Sequence, residues 1–153
     1  MLPALGHYVK YDTFESNICA TKFWHKLNKN WRPLTWSSSG NFSSSEVVWA
    51  GYGIQAPKKN KFEEYDSFVH LDVKDKWVMI LRGSPDNDNP HGIFSEHSSL
   101  RKKAIIAKDN SATGVIFVSS ESFDSDDKLI DLSYDQSQND IGIPIIHIKR
   151  ELA

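Results

Sequence analysis

The chain has 153 residues, enough for one domain with a buried core. Hydrophobic residues make up 39% of it and aromatic residues 12%, which is too much for an intrinsically disordered chain. Eighteen Lys and Arg stand against twenty Asp and Glu, and this formal net charge of -2 argues against general binding to nucleic acid or to an anionic membrane.

Cys19 is the single cysteine, so the chain has no internal disulfide and no second thiol for a metal site. The first residues lack the basic region and apolar run of a secretory leader, and no later run is long enough for a membrane span. We therefore expect either a cytosolic protein or one whose leader is not part of this sequence.

Residues 8–30 mix aromatic, polar and basic side chains without a clean period, so strand and short helix both remain open for them. Residues 34–36 are typical of a short strand, and the serine-rich stretch after them is typical of a turn. The next run, residues 46–53 (EVVWAGYG), is β-branched and aromatic and predicts a strand. Its glycines, Gly51 and Gly53, indicate a bend or a close backbone approach where that strand ends.

Residues 58–73 are polar and carry three aromatic side chains spaced three apart, namely Phe62, Tyr65 and Phe68. On a helix that spacing puts them on one face, so we expect a short helical turn packed on the sheet. Residues 76–83 (KWVMILRG) contain a continuous apolar run between charged residues and a glycine. This pattern predicts a second strand that is covered on both faces.

Residues 84–92 (SPDNDNPHG) have the Pro, Asn and Asp content of a loop. A helix is predicted from near Ser95 to Asn110, with serines as caps at its start and Asn110 as its C-cap. Its apolar stripe consists of Leu100, Ala104 and Ala107. Gly114 then opens a third strand, residues 115–118.

Residues 119–139 are acidic and serine-rich, which predicts an exposed loop, and residues 143–148 predict a last buried strand. Residues 150–153 are typical of the first turn of a helix. The order strand, loop, helix, strand, loop, strand requires at least one parallel crossover, so the predicted fold is mixed α/β with few helices rather than an all-β sandwich. We expect one sheet core formed by Val78, Ile80, Val115, Phe117, Ile143 and Ile145.

Two short patterns could mark a metal site. His70 and Asp72 have the spacing of a His-x-Asp motif, and Glu63-Glu64 is the kind of acidic pair that di-zinc peptidases use. Together they define one alternative, a self-contained small metallohydrolase. Patterns this short arise often by chance and no further His or acid lies in a partner position, so an exposed, non-catalytic role is favoured.

Other catalytic signatures are missing from the sequence. It has no Gly-x-Ser-x-Gly elbow, no phosphate-binding glycine loop and no dinucleotide fingerprint. The residues alone therefore indicate a soluble mixed α/β module that is not catalytic.

Five blocks in order carry a family resemblance: WRPLTWSSSG, EVVWAGYGIQAP, FEEYDSFVHLDVKDKWVMILRGSP, SSLRKKAIIAKDNSATGVIFVSS and GIPIIHIKRELA. Over residues 31–153 the chain resembles the protease-associated (PA) domain, and more narrowly the PA insertion of M28-family zinc aminopeptidases. The departures from that pattern are modest. Asp75 and Ser111 stand where the family commonly has glycine, and Glu63-Glu64 stands where paired Asp is frequent.

The resemblance implies a PA-like mixed sheet of the swivelling β/β/α type, with residues 31–153 as the PA domain and residues 1–30 as its N-terminal flanking segment. It implies no catalytic residue, metal ligand or cofactor in this chain, because the zinc ligands of such enzymes lie in the flanking peptidase domain. His70 and Asp72 align instead with the entry to a PA strand. The implied partners are that peptidase domain on the same polypeptide and a peptide or protein substrate, and the implied location is extracellular, periplasmic or in the cell envelope.

The function expected from this resemblance is a non-catalytic module that limits substrate access to an aminopeptidase or contacts protein partners. A peptide-binding receptor or sorting protein is a further alternative, against which the peptidase-like block around Gly51 and Gly53 argues. We expect the functional surface on the loops that follow strands, residues 84–94 and 119–139. The candidate interaction residues there are Ser84, Asp86, Asn87, His91, Phe94, Ser122 and Asp124.

Overall fold

The computed structural model describes residues 27–44, 46–59, 62–132 and 139–153. The expectations for residues 1–26, including Cys19, and for residues 133–138 of the acidic loop lie outside the described residues. The elements in chain order are β1 (Trp31–Pro33), β2 (Val47–Trp49), β3 (Gln55–Ala56), β4 (Tyr65–Asp66), β5 (Trp77–Leu81), α1 (Leu100–Asp109), β6 (Gly114–Val118), β7 (Ile145–Ile148) and a 3-10 turn (Arg150–Leu152). None of the helices described has the length and apolar character needed to cross a bilayer.

A five-stranded sheet with the order β1-β7-β6-β5-β2 organises the chain. Strands β2, β5, β6 and β7 run parallel, and only β1 is antiparallel to its neighbour. The connection from β5 to β6 contains α1, so the predicted parallel crossover and the mixed α/β class are confirmed. Parallel strands all end at one edge of the sheet, and the loops after β2, β5 and β6 are therefore neighbours.

Both faces of the sheet are apolar. The larger core lies on the face that packs against Ala104 and Ala107 of α1, and the smaller one lies around Trp77 and Ile116 on the opposite face. The prediction of one sheet core is confirmed, because all six residues belong to the larger cluster: Val78, Ile80, Val115, Phe117, Ile143 and Ile145.

The predicted helical turn within residues 58–73 is wrong. Tyr65 lies in β4 and pairs with Ala56 of β3 in a small antiparallel sheet. Phe62 is 53% exposed whereas Phe68 is 5% exposed, so the aromatic residues do not share one face. The pairing with β3 is a contact between distant positions, and it overrides the local three-residue spacing of the aromatic side chains.

The first strands are shorter than predicted or shifted. The strand expected at residues 34–36 lies at Trp31–Pro33 instead, because the amide of Ser37 donates to the carbonyl of Leu34 and closes a turn there. Residues 46–53 contain strand only at Val47–Trp49. The bend predicted from the two glycines is confirmed, since both have positive φ, 53° at Gly51 and 62° at Gly53.

The helix begins later than predicted. Residues 93–97 form turns, and α1 starts at Leu100, where the Ser99 side chain accepts from the amide of Lys102. The predicted C-cap at Asn110 is confirmed. The last strand also begins later, at Ile145 rather than at residue 143, and residues 150–152 form the single helical turn that the sequence predicts.

Candidate functional site

A crevice of about 210 Å³ opens at the edge of the sheet where the parallel strands end. The loop after β5 forms one wall, the turn after β2 the second and the loop after β6 the third. Ligands of open α/β sheets bind at this edge, because the loops converge there on a rigid scaffold. The side chains on the wall that matter here are Tyr52, Arg82, Ser84, Asp88, Ser122 and Phe123.

Arg82 is the central cation of the crevice. Its Nη1 donates to Ser119 Oγ at 3.0 Å and lies 3.6 Å from a carboxylate oxygen of Asp124. Its guanidinium lies 4.9 Å from the centroid of the Phe123 ring, within cation–π range. Burial lowers the pKa of Arg82, and the charges of Asp124 and Asp88 oppose that shift. These contacts hold one face of the cation and leave it beside the open space of the crevice.

Lys103 of α1 supports the crevice wall from inside. This lysine is fully buried, and its ammonium donates to the carbonyl of Leu81 at 2.9 Å and to the carbonyl of Gly83. The ammonium also lies 5.6 Å from the ring centroid of Tyr52. Burial lowers the pKa of Lys103 to about 8, while Asp88 opposes the shift. The helix is thereby tied to the point where the chain leaves β5.

The loop after β5 is held by its own serine. Ser84 Oγ lies 2.7 Å from Asp86 and 3.0 Å from Asp88, each at a carboxylate oxygen, and it accepts from the amide of Asp88 at 3.1 Å. Gly83 precedes this turn with φ of 81°, and a Cβ there would meet the Phe123 ring at 2.8 Å. Glycine is thus required both by the backbone and by the close approach of the opposite wall.

A buried Ser–His pair beside Arg82 deserves comparison with a nucleophilic dyad. Ser119 Oγ lies 3.4 Å from His147 Nε2, and His147 Nδ1 accepts from the amide of Ile130 at 3.1 Å. Because Nδ1 is the acceptor, the ring proton of a neutral His147 sits on Nε2. Burial lowers the pKa of His147 to about 4, so the ring is neutral at neutral pH. His147 therefore cannot take a proton from Ser119, and the pair fixes loops instead of activating a nucleophile.

The residues predicted as an interaction surface divide into three groups. Ser84, Asn87 and Ser122 line the crevice. Asp86 and Asp124 contact lining residues, as described above for Ser84 and Arg82. The remaining two residues, His91 and Phe94, do not line the crevice.

His91 is exposed on the loop, where its amide donates to the side chain of Asn89. Phe94 packs edge-on against Tyr65 at a centroid distance of 5.1 Å, which makes it an anchor of the loop on the small sheet.

The interaction residues predicted from the sequence do not include Arg82 and Asp88, which line the crevice, or Lys103, which supports its wall. Arg82 follows directly after the apolar run of β5, and the position after a parallel strand is where a ligand edge is built. That signal was present in the sequence. Lys103 gave none, because a lysine in the middle of a helix is usually solvated and only the packing of α1 shows that this one is buried.

The two patterns considered for metal do not converge. Glu63 binds Lys58 at 2.8 Å on the surface, and Asp72 binds Lys76 at 3.2 Å. The hydrogen bond from Lys76 lowers the pKa of Asp72. Across residues 27–44, 46–59, 62–132 and 139–153, no group of three or more His, Cys, Asp or Glu side chains could hold a metal ion. The described residues thus do not fit a zinc site.

Comparison with known proteins identifies a family, and the likeness to solved structures is weak. The sequence model of the PA domain matches residues 42–153, which include every wall of the crevice. No curated protein sequence matches the chain. Among solved structures, the aminopeptidase from Aneurinibacillus sp. strain AM-1 is similar at 16% identity with a TM-score of 0.47, over 81% of this chain and 23% of that one. The chain thus spans less than a quarter of that protein's length.

Proposed function

The chain belongs to the PA (protease-associated) domain family, and from this premise we propose that it is a non-catalytic module that controls substrate access to an M28-like zinc aminopeptidase. In this proposal the zinc is held by a peptidase domain on the same polypeptide and the enzyme is exported. The ordered sequence blocks described above support the assignment to this peptidase type.

The observation that carries the proposal is the chemistry of the crevice. Its charged groups, Arg82 and Asp88, are hydrogen-bonded to serine side chains. The neutral His147 ring carries its proton on Nε2, the nitrogen that faces Ser119, so it cannot act as a base toward that serine. What the crevice offers is hydroxyl and amide groups on two loops that start from rigid strands. Such an arrangement can contact or exclude an extended peptide, and it has no means of cleaving one.

Selection by size follows from where the loops start. The loop after β5 is held at its base by Lys103 and Ser84 and at its far end by Phe94. A loop that is held at both ends keeps its conformation, so in this proposal it forms a rigid boundary beside the neighbouring peptidase cleft. A long peptide must pass that wall whereas a short one need not reach it, so the wall changes preference for substrate length.

The test is to shorten residues 86–91 in the complete aminopeptidase and to measure kcat/KM for a series of peptides of increasing length. The proposal expects the preference for length to change while the zinc content, measured by elemental analysis, stays the same. Thermal unfolding of the variant shows that it is folded. Unaltered kinetics for short and long peptides in a folded variant would reduce the domain to a structural insert.

A further inference from the structure

A second open site lies on the β1 side of the sheet, where β1 begins and β7 ends. We name it the basic groove, and its lining includes Lys29, Arg32, Lys128, Leu129, Asp131 and Lys149. Its volume is about 390 Å³, within the range of roughly 300–1,000 Å³ that is usual for small-ligand sites. It shares no residue with the crevice.

The groove concentrates positive charge in a chain whose formal net charge is -2. Four cationic side chains and a single carboxylate line it. Arg32 is paired with Asp131 at 3.0 Å, and Lys128 is paired with Asp126 at 2.7 Å. The other two lysines, Lys29 and Lys149, have no carboxylate partner among the described residues. The groove therefore presents two ammonium groups without a carboxylate partner, one on Lys29 just before β1 and one on Lys149 just after β7, at the paired ends of these two strands.

The walls of the groove are fixed before any ligand arrives. The amide of Ile130 donates to His147 Nδ1, and its carbonyl accepts from Arg32 Nη1 at 2.9 Å. These two bonds hold the loop that carries Lys128 and Leu129 over the sheet. On the strand side, the amide of Lys149 donates to the carbonyl of Asn30 at 2.9 Å. Groups that are held in place lose less entropy when they bind, which favours a specific site over a diffuse charged surface.

We propose that the basic groove binds a short acidic peptide segment, with carboxylates on Lys29 and Lys149 and an apolar side chain on Leu129. A long polyanion such as a nucleic acid is disfavoured, because Asp131 lines the groove and Asp126 pairs with its Lys128. A short segment avoids that repulsion. Leu129 gives an apolar contact that a bare phosphate or sulfate ion cannot use, so the preferred ligand is a peptide.

The experiment titrates the 153-residue chain with an acetylated, amidated peptide of alternating Glu and Leu, followed by amide chemical shifts at low ionic strength. The expected result is saturable shifts at Lys29, Leu129 and Lys149, and affinity that falls as salt is added. The same peptide with Gln in place of Glu should not bind. The double variant Lys29→Gln with Lys149→Gln should bind about tenfold more weakly.

A matched control removes the same charge elsewhere, through Lys58→Gln with Lys74→Gln, two exposed lysines outside the groove. This variant should bind the Glu peptide as the unaltered chain does. An equal loss in both double variants would mean that only net charge matters and would overturn the proposal. It would also be overturned by absence of binding at low salt, or by inorganic phosphate binding at the same residues as tightly as the Glu peptide.

Discussion

Arg32 and His147 are register partners in the antiparallel pair of β1 and β7, and they bind the two sides of a single residue in another loop. The Arg32 side chain donates to the carbonyl of Ile130, and the His147 ring accepts from its amide. The backbone of Ile130 is thereby satisfied by side chains, as a neighbouring strand would satisfy it. This contact fixes the loop after β6, which contributes one wall to the crevice and one to the basic groove.

The His147 contact makes stability depend on pH. Burial lowers the pKa of His147 from 6.5 to about 4, so between these values the unfolded chain binds more protons than the folded chain. Stability is then full above pH 6.5 and falls as the pH drops toward 4. The shift corresponds to a loss on the order of 3 kcal/mol. Urea denaturation of the unaltered chain and of His147→Gln, measured across this window, should show that the extra slope is missing in the variant.

His147→Gln removes the titrating group and keeps an oxygen that can accept from Ile130. Carboxylates contribute to acid sensitivity in both proteins, so the difference between the two curves is the relevant quantity. Parallel curves would contradict the assignment of a neutral, buried His147.

Two turns that resemble glycine turns are occupied by other residues. Asp75 and Ser111 have φ of 60° and 68°, and the amide of Asp75 donates to the carbonyl of Ser111 at 3.0 Å. Both stand where the PA pattern commonly has glycine, so the chain keeps the left-handed geometry at some conformational cost. We expect Ser111→Gly to be neutral or to stabilise the fold by up to about 1 kcal/mol. Chemical denaturation measures the change in the free energy of unfolding, and a clear loss of stability in Ser111→Gly would show that Ser111 is not strained.

Gly53, in contrast, occupies a position with positive φ where a side chain would not fit. Its φ is 62°, and a Cβ there would come within 2.6 Å of Ile80, a residue of the buried core. Gly53→Ala should therefore destabilise the chain by about 1–3 kcal/mol in the same denaturation experiment. A neutral result would show that the turn after β2 adapts more freely than its position against β5 implies.

Lys103 should control the order of the loop after β5. In Lys103→Met the carbonyls of Leu81 and Gly83 lose their common donor while the volume of the side chain is nearly kept. We expect faster amide hydrogen exchange in residues 83–88 and a loss of about 1–3 kcal/mol in stability. Lys102→Met, one residue earlier on the exposed side of α1, is the control. Unchanged exchange in residues 83–88 would remove Lys103 from the account of the crevice.

The chain on its own should not release amino acids from peptides. Glu63 and Asp72 are each paired with a lysine, and the described residues do not assemble a zinc site. Incubation of the chain with zinc and aminoacyl substrates should therefore give no hydrolysis. Zinc-dependent hydrolysis that disappears in His70→Ala would establish the alternative of a small metallohydrolase.

The parts of the fold that could be predicted are those where one local signal dominates. Strands β5 and β6 are continuous apolar runs, and their register places Val78 beside Val115 as one core. The prediction failed where a distant partner decides the conformation, as for Tyr65, which pairs with Ala56. The same holds for the crevice. Ser84 and Ser122 were expected because loop composition shows in the sequence, whereas the burial of Lys103 depends on how α1 packs.

The central claim is that the loops around the crevice act as a wall beside the peptidase cleft. Ser122 lines the crevice, and Ser125 is exposed on the same loop outside it. We would measure kcat/KM of the proposed parent aminopeptidase for a dipeptide and for a long peptide in Ser122→Trp and in Ser125→Trp. The account predicts that Ser122→Trp lowers the value for the long peptide only and that Ser125→Trp changes neither. If Ser122→Trp and Ser125→Trp have the same kcat/KM as each other for the dipeptide and also for the long peptide, the account is contradicted.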